Sequence, residues 1–118
     1  MTINENNEMQ FTRNGSLLAG FVSVCNAEYY LNYNGIAQKG WVQFPGETWY
    51  YLDKETGIKA KGWINDNGNW YYLNTSGIMQ RGWLNDSGTW YYLSKSGAML
   101  ANTIIDGYVL GDSGAWLG

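Results

Sequence analysis

Short runs of β-favouring residues alternate with clusters of turn-forming residues along most of this chain. From Gly62 to Arg81 the runs are Trp63-Ile64-Asn65 and Trp70-Tyr71-Tyr72-Leu73, separated by Asp66-Asn67-Gly68, which tolerate a positive φ. The pattern predicts a β-hairpin. Asn74-Thr75-Ser76-Gly77 then turns the chain onward. Gly82 to Ala101 (GWLNDSGTWYYLSKSGAMLA) repeats the arrangement of Gly62 to Arg81 (GWINDNGNWYYLNTSGIMQR) at a spacing of 20 residues with every aromatic in register. A constant period predicts a stack of like units.

The same pattern extends in both directions. Residues 40–61 carry it with one extra residue before Trp49 and one between Leu52 and Gly57. Residues 20–39 are a worn copy, with Phe21 at the first Trp position and Glu28 at the second, followed by Tyr29-Tyr30-Leu31. Residues 1–19 read as a degenerate half repeat or cap in which Met9 to Ala19 form the back half of a unit. Residues 102–118 read as a shortened last unit whose Gly114-Ala115-Trp116 matches Gly97-Ala98-Met99. A lone hairpin is marginal in water, so stability must come from stacking each on the next. The fold class is therefore all-β, a solenoid of stacked β-hairpins with degenerate capping units. Rigid rings are expected to replace an aliphatic core.

Alternation along a strand sorts each Trp-Tyr-Tyr-Leu run. Trp70 and Tyr72 point to one side and Tyr71 and Leu73 to the other, so the middle Tyr can face the previous unit while the Trp faces the next. In the last unit, at Gly107-Tyr108-Val109, only the middle Tyr survives, as expected of a cap with a neighbour behind and none in front. Each groove would then be walled by two Trp from one unit and by the middle Tyr and the Met-position residue of the next. Three boxes can be written: Trp41, Trp49, Tyr71, Met79; Trp63, Trp70, Tyr91, Met99; and Trp83, Trp90, Tyr108, Trp116. Electron-rich walls suit a quaternary ammonium, which is drawn by the ring quadrupole and has no N–H in need of an acceptor. Three rings at about 0.5–2 kcal/mol each come to roughly 2–6 kcal/mol, near the ~4 kcal/mol of a millimolar site. Several weak boxes on one stack would hold a polymer through effective concentration. The preceding junction, Phe21, Glu28, Tyr50 and Lys59, loses both Trp and places a cation at the Met position. It reads as non-functional, with Glu28 placed to pair with Lys59. Before it, Glu8, Tyr29 and Ala37 form nothing recognisable.

Composition narrows the chemistry further. The 118 residues include 16 Gly and 17% aromatic residues against 14% charged, an unusual balance for a helical or α/β core. The net charge of -3, with basic residues scattered, disfavours nucleic acid. No apolar run is long enough to cross a bilayer, and the polar Thr2 to Glu8 segment carries no export signal. The chain has no His and a single Cys, so Ser-His and Cys-His pairs, imidazole metal sites and paired thiols are excluded; no metal, cofactor or catalytic residue is expected. Asp66, Asp86 and Asp112 stand beside turn glycines and read as turn formers. Cys25 aligns with Asn67 at a hairpin tip and is expected to be exposed and incidental.

The GWxxxxGxWYYLxxxGxM pattern resembles the choline-binding (cell-wall-binding) repeats of Gram-positive bacteria and their phages over about Gly20 to Gly118. The resemblance implies a hairpin solenoid holding the choline or phosphocholine of teichoic and lipoteichoic acids between two Trp of one repeat and a Tyr of the next. It implies an extracellular, wall-associated, non-catalytic attachment module, usually joined to a lytic or adhesin domain that this sequence does not contain. Two other functions fit the same rings: a carbohydrate module stacking glucan faces on the Trp, and a structural adaptor whose aromatics only pack. Sugar recognition requires polar side chains beside the rings, of which the expected walls offer almost none. Tyr51, Tyr72 and Tyr92 read as packing, the paired Trp as ligand walls, and the Met positions as packing more than contact. Trp116 reads either as a fourth wall or as a plug over the end of the stack.

Overall fold

The computed structural model describes residues 2–118. Every described strand belongs to a two-stranded antiparallel hairpin, and no described residue is helical. In chain order β1 (Thr2–Ile3) pairs with β2 (Met9–Gln10), β3 (Thr12–Arg13) with β4 (Ser16–Leu17), β5 (Gly20–Val24) with β6 (Ala27–Leu31), and β7 (Gly40–Phe44) with β8 (Thr48–Leu52). Then β9 (Gly62–Asp66) pairs with β10 (Asn69–Leu73), β11 (Gly82–Asp86) with β12 (Thr89–Leu93), and β13 (Thr103–Ile105) with β14 (Tyr108–Leu110). The hairpins fall into two compact units, one ending at Ala60 and one spanning Lys61–Gly118. Within each, hairpin follows hairpin in the stack that the 20-residue period predicts.

Turn chemistry sets the register. Asn67 and Gly68 have φ of 53° and 87°, and Ser87 and Gly88 have 52° and 92°, so both central residues of each turn lie in the left-handed region. That geometry matches the twist of the flanking strands. It brings Trp63 opposite Tyr72 and Asn65 opposite Trp70, and Trp83 opposite Tyr92 and Asn85 opposite Trp90. Ser87 lacks the local conformational ease of Asn or Gly, and here Asn85 Oδ1 accepts a hydrogen bond from the Gly88 N–H at 3.0 Å. In the worn unit the two positions are Cys25 and Asn26, with φ of 50° and 68°, and Cys25 is exposed.

Stacking within each unit uses one recurrent backbone contact. The N–H of the Met-position residue donates to the carbonyl at the second-Trp position of the hairpin before it: Lys59 to Glu28 at 2.7 Å, Met99 to Trp70 at 2.7 Å, and Trp116 to Trp90 at 2.8 Å. Ala37 makes the equivalent bond to Met9 at 3.0 Å, so Met9, and not Glu8, holds that position at the front of the chain. Residues 2–19 carry two short hairpins, β1–β2 and β3–β4, with Phe11 between them buried against Leu31 and Ala37.

The core departs from the expectation that rings would supply it. The most deeply buried side chains are Leu31, Leu52, Leu73, Leu93 and Leu110, each at most 1% exposed. Each ends the second strand of its hairpin and bridges to the Met-position residue of its own turn: Ala37, Lys59, Met79, Met99 and Trp116. A compact branched side chain fits the narrow centre of a stacked hairpin, whereas an indole spread over the same hairpin stays partly uncovered. Trp70 and Trp90 are accordingly 43% and 39% exposed.

Candidate aromatic-cage site

In the second unit, the hairpin pairing turns each first Trp and last Tyr to the same face, where they meet edge to face: Trp63–Tyr72 at 5.2 Å and 69°, Trp83–Tyr92 at 5.1 Å and 71°. Such perpendicular contacts favour the ring quadrupoles and hold the indole upright. Tyr72 and Tyr92 thus brace the tryptophans from within their own hairpin. The middle tyrosine comes from the next hairpin instead: Tyr91 stands 5.0 Å and 70° from Trp63, and Tyr108 stands 5.4 Å and 80° from Trp83.

Two concave sites result. Trp83, Trp90, Tyr108 and Trp116 line a cavity of about 360 Å³. Trp116 lies at right angles to Tyr108, with ring centroids 5.5 Å apart, and is itself 37% exposed. Its indole therefore forms a wall of the cavity and still reaches solvent. Trp63, Trp70, Tyr91 and Met99 line a second cavity of about 280 Å³ together with Ser113. All eight predicted residues of these two boxes thus meet around two hollows.

The remaining four are divided between the units. Trp41 and Trp49 lie in the first, their rings 6.3 Å apart and nearly perpendicular, with Trp41 braced by Tyr51 at 4.9 Å. Tyr71 and Met79 lie in the second, where Met79 is buried and its side chain occupies the space a Cβ on Gly97 would need. Met99 fills the same space against Gly114, so both glycines are required by close approach as well as by their φ near 90°. Met99 therefore combines packing with a place in the cavity wall.

Two residues near these cages escape the sequence reading. Asp86, expected as a turn former, accepts a hydrogen bond from Trp63 Nε1 on its Oδ2 at 2.9 Å. Its half-buried carboxylate anchors an indole one hairpin back, while Asn85 tends the turn. The only available signal was recurrence, because Asp also stands at position 66, one unit earlier. Ser113 had no signal, since it enters from the turn that follows the last hairpin. In the first unit, the junction expected to be empty of function holds a cation of the chain's own: Lys59 Nζ lies 3.1 Å from Glu28 Oε1. Among the described residues no cluster of metal-ligating side chains occurs, and no helix is long and apolar enough to cross a membrane.

Known proteins share both pattern and fold. Residues 60–103 match a choline-binding repeat and residues 39–58 a cell wall binding repeat. The choline binding domain of Spr1274 from Streptococcus pneumoniae is 43% identical, with 69% of this chain and 96% of that one aligned at a TM-score of 0.63. Choline binding protein F of Streptococcus pneumoniae is 40% identical over 88% of this chain and 35% of its own, at a TM-score of 0.81. A multimodular pneumococcal cell wall endolysin from phage Cp-1, solved in complex with choline, is 30% identical over 87% of this chain and 32% of its own, at a TM-score of 0.61. The chain thus spans about a third of the length of these last two proteins. Comparison with curated proteins gave no match.

Proposed function

Because the chain belongs to the choline-binding repeat family, we propose that its aromatic boxes hold the trimethylammonium head of choline and attach it to choline-bearing teichoic or lipoteichoic acids of a bacterial cell wall. The observation that carries this reading is the cavity of about 360 Å³ walled by four rings, those of Trp83, Trp90, Tyr108 and Trp116. At about 280 and 360 Å³ the two hollows are at the small end of ligand sites, which run from ~300 Å³ upward. A quaternary head fits them by charge and by the absence of N–H groups. In the cavity walled by four rings, an ammonium or guanidinium would leave donors facing ring faces.

Each box supplies only weak binding, so attachment depends on several acting together along a polymer. The chemistry is binding alone, and the module acts in the extracellular wall. The division into units 20–39, 40–61, 62–81 and 82–101, with end segments 1–19 and 102–118, is part of this proposal.

Titration with choline, with glucan oligomers as the control, tests it. Choline at about 1–10 mM should change tryptophan fluorescence saturably and raise Tm by linkage, and glucans should do neither. Saturable quenching by a glucan with no response to choline would overturn the reading in favour of carbohydrate binding.

A further inference from the structure

The worn junction of the first unit repeats the geometry of the open cages with a different content. Lys59 occupies the Met position, and its backbone N–H makes the same bond to the preceding hairpin as do those of Met99 and Trp116. Its side chain therefore starts where theirs start. Phe21 and Tyr50 stand at the first-Trp and middle-Tyr positions, with ring centroids 5.1 Å apart at 64°, close to the 5.0 Å and 70° of Trp63 and Tyr91. Phe44 stacks on Phe21 at 5.6 Å and meets Tyr50 edge-on at 5.3 Å, adding a third ring. Into this frame the Lys59 ammonium extends to 5.1 Å from the Phe21 centroid and 5.5 Å from that of Tyr50. Glu28, at the position of the missing second Trp, closes the remaining side at 3.1 Å. The Lys59 side chain is only 8% exposed.

We propose that this junction is a cation cage that the chain fills itself, with the Lys59 ammonium as internal ligand and Lys59 as the residue that shuts the cage to outside cations. A primary ammonium differs from a quaternary one in carrying N–H donors that need an acceptor. The replacement of a Trp by Glu28 supplies that acceptor, so Glu28 and Lys59 change together for one physical reason. A buried ammonium is stable only with such a partner, and removing either member of the pair leaves an uncompensated charge. The first unit is thereby held in its stacked form without any outside ligand.

The test is chemical rescue. Lys59→Ala removes the ammonium and its stem, and Tm should fall by about 2–8 °C, the shift for a chain of this size losing one favourable contact. Propylammonium at ~1–100 mM should restore part of that loss in Lys59→Ala while leaving the wild-type protein unmoved, with a gain that rises as the logarithm of concentration. Propanol, of equal size and no charge, should not rescue. Equal rescue by propanol would reduce the role of Lys59 to filling space, and a Lys59→Ala variant as stable as wild type would overturn the proposal outright. Should Lys59→Ala not fold, Lys59→Met keeps most of the stem and isolates the charge. Its loss of stability should then shrink when Glu28→Gln is added, and purely additive effects of the two changes would refute the internal ion. The probe is a primary amine and the readout is thermal, so the outcome is independent of whether the tryptophan cages bind choline.

Discussion

The cage of Phe21, Tyr50, Glu28 and Lys59 and the cage of Trp83, Trp90, Tyr108 and Trp116 share a frame and differ in what fills it. In both, a ring on the first strand of one hairpin meets the middle tyrosine position of the next edge-on, at 5.1 Å and 64° in one and at 5.4 Å and 80° in the other. In the first, a lysine from the turn enters and finds a carboxylate; in the second, a tryptophan from the same turn position stands as a wall and leaves about 360 Å³ open. The same frame thus carries two fillings, and they differ at three positions: Phe21 against Trp83, Glu28 against Trp90 and Lys59 against Trp116.

If only the cage contents differ, the leucine column beneath them should matter equally in both units. Leu31→Ala and Leu93→Ala each delete a fully buried side chain and should each cost about 2–5 kcal/mol by denaturant unfolding. A cost confined to one of the two would break the equivalence of the frames. The open cages can be separated next. Tyr91→Ala should weaken choline at the Trp63–Trp70 cage by roughly 2–30-fold, the loss of one ring, and leave the Trp83–Trp90 cage near its original affinity. Tyr92→Ala removes a brace and should lower stability more than affinity. Calorimetry resolving both cages would reveal the reverse pattern if the middle rings were mere packing.

Smaller effects sharpen the picture. Asp86→Ala deprives Trp63 Nε1 of its acceptor and should cost ~0.5–1.5 kcal/mol, with a lower affinity at the Trp63 cage alone. An unchanged affinity together with the stability loss would confine Asp86 to the scaffold. The smallest effect concerns the turns. Asp53 Oδ1 accepts hydrogen bonds from the backbone N–H groups of Thr56 and Glu55, both at 2.8 Å, and these hold its carboxyl below the usual range. A depressed folded pKa means a stabilising contribution that is complete above the unfolded value of about 3.9 and lost as pH falls through the lower folded value. Asn74 makes the matching turn in the second unit without a charge, accepting from Ser76 and Ile78. Asp53→Asn should therefore keep the turn and flatten the acid limb of the stability curve of the first unit. An acid limb unchanged by the substitution would assign that limb to other carboxylates.

The repeat, its period, the hairpins and the aromatic residues that line the two cavities of the second unit were legible from the sequence because each rests on local chemistry: turn residues that tolerate positive φ, strand alternation, and rings recurring every 20 residues. Choice of core was not legible. Leu73 and Tyr72 are both apolar neighbours on one strand, and only the stacked hairpins show that the centre is narrow enough to enclose the leucine and leave the ring at the rim. Asp86 likewise has the local chemistry of a turn residue, and its service to Trp63 depends on where the preceding hairpin lies, 23 residues away in sequence. Lys59 shows the division most plainly. That a cation and an acid replace a methionine and a tryptophan can be read along the chain; that the cation turns inward, against Phe21 and Tyr50, follows only from stacking, because aromatic faces and a carboxylate brought together there replace the water a buried ammonium gives up.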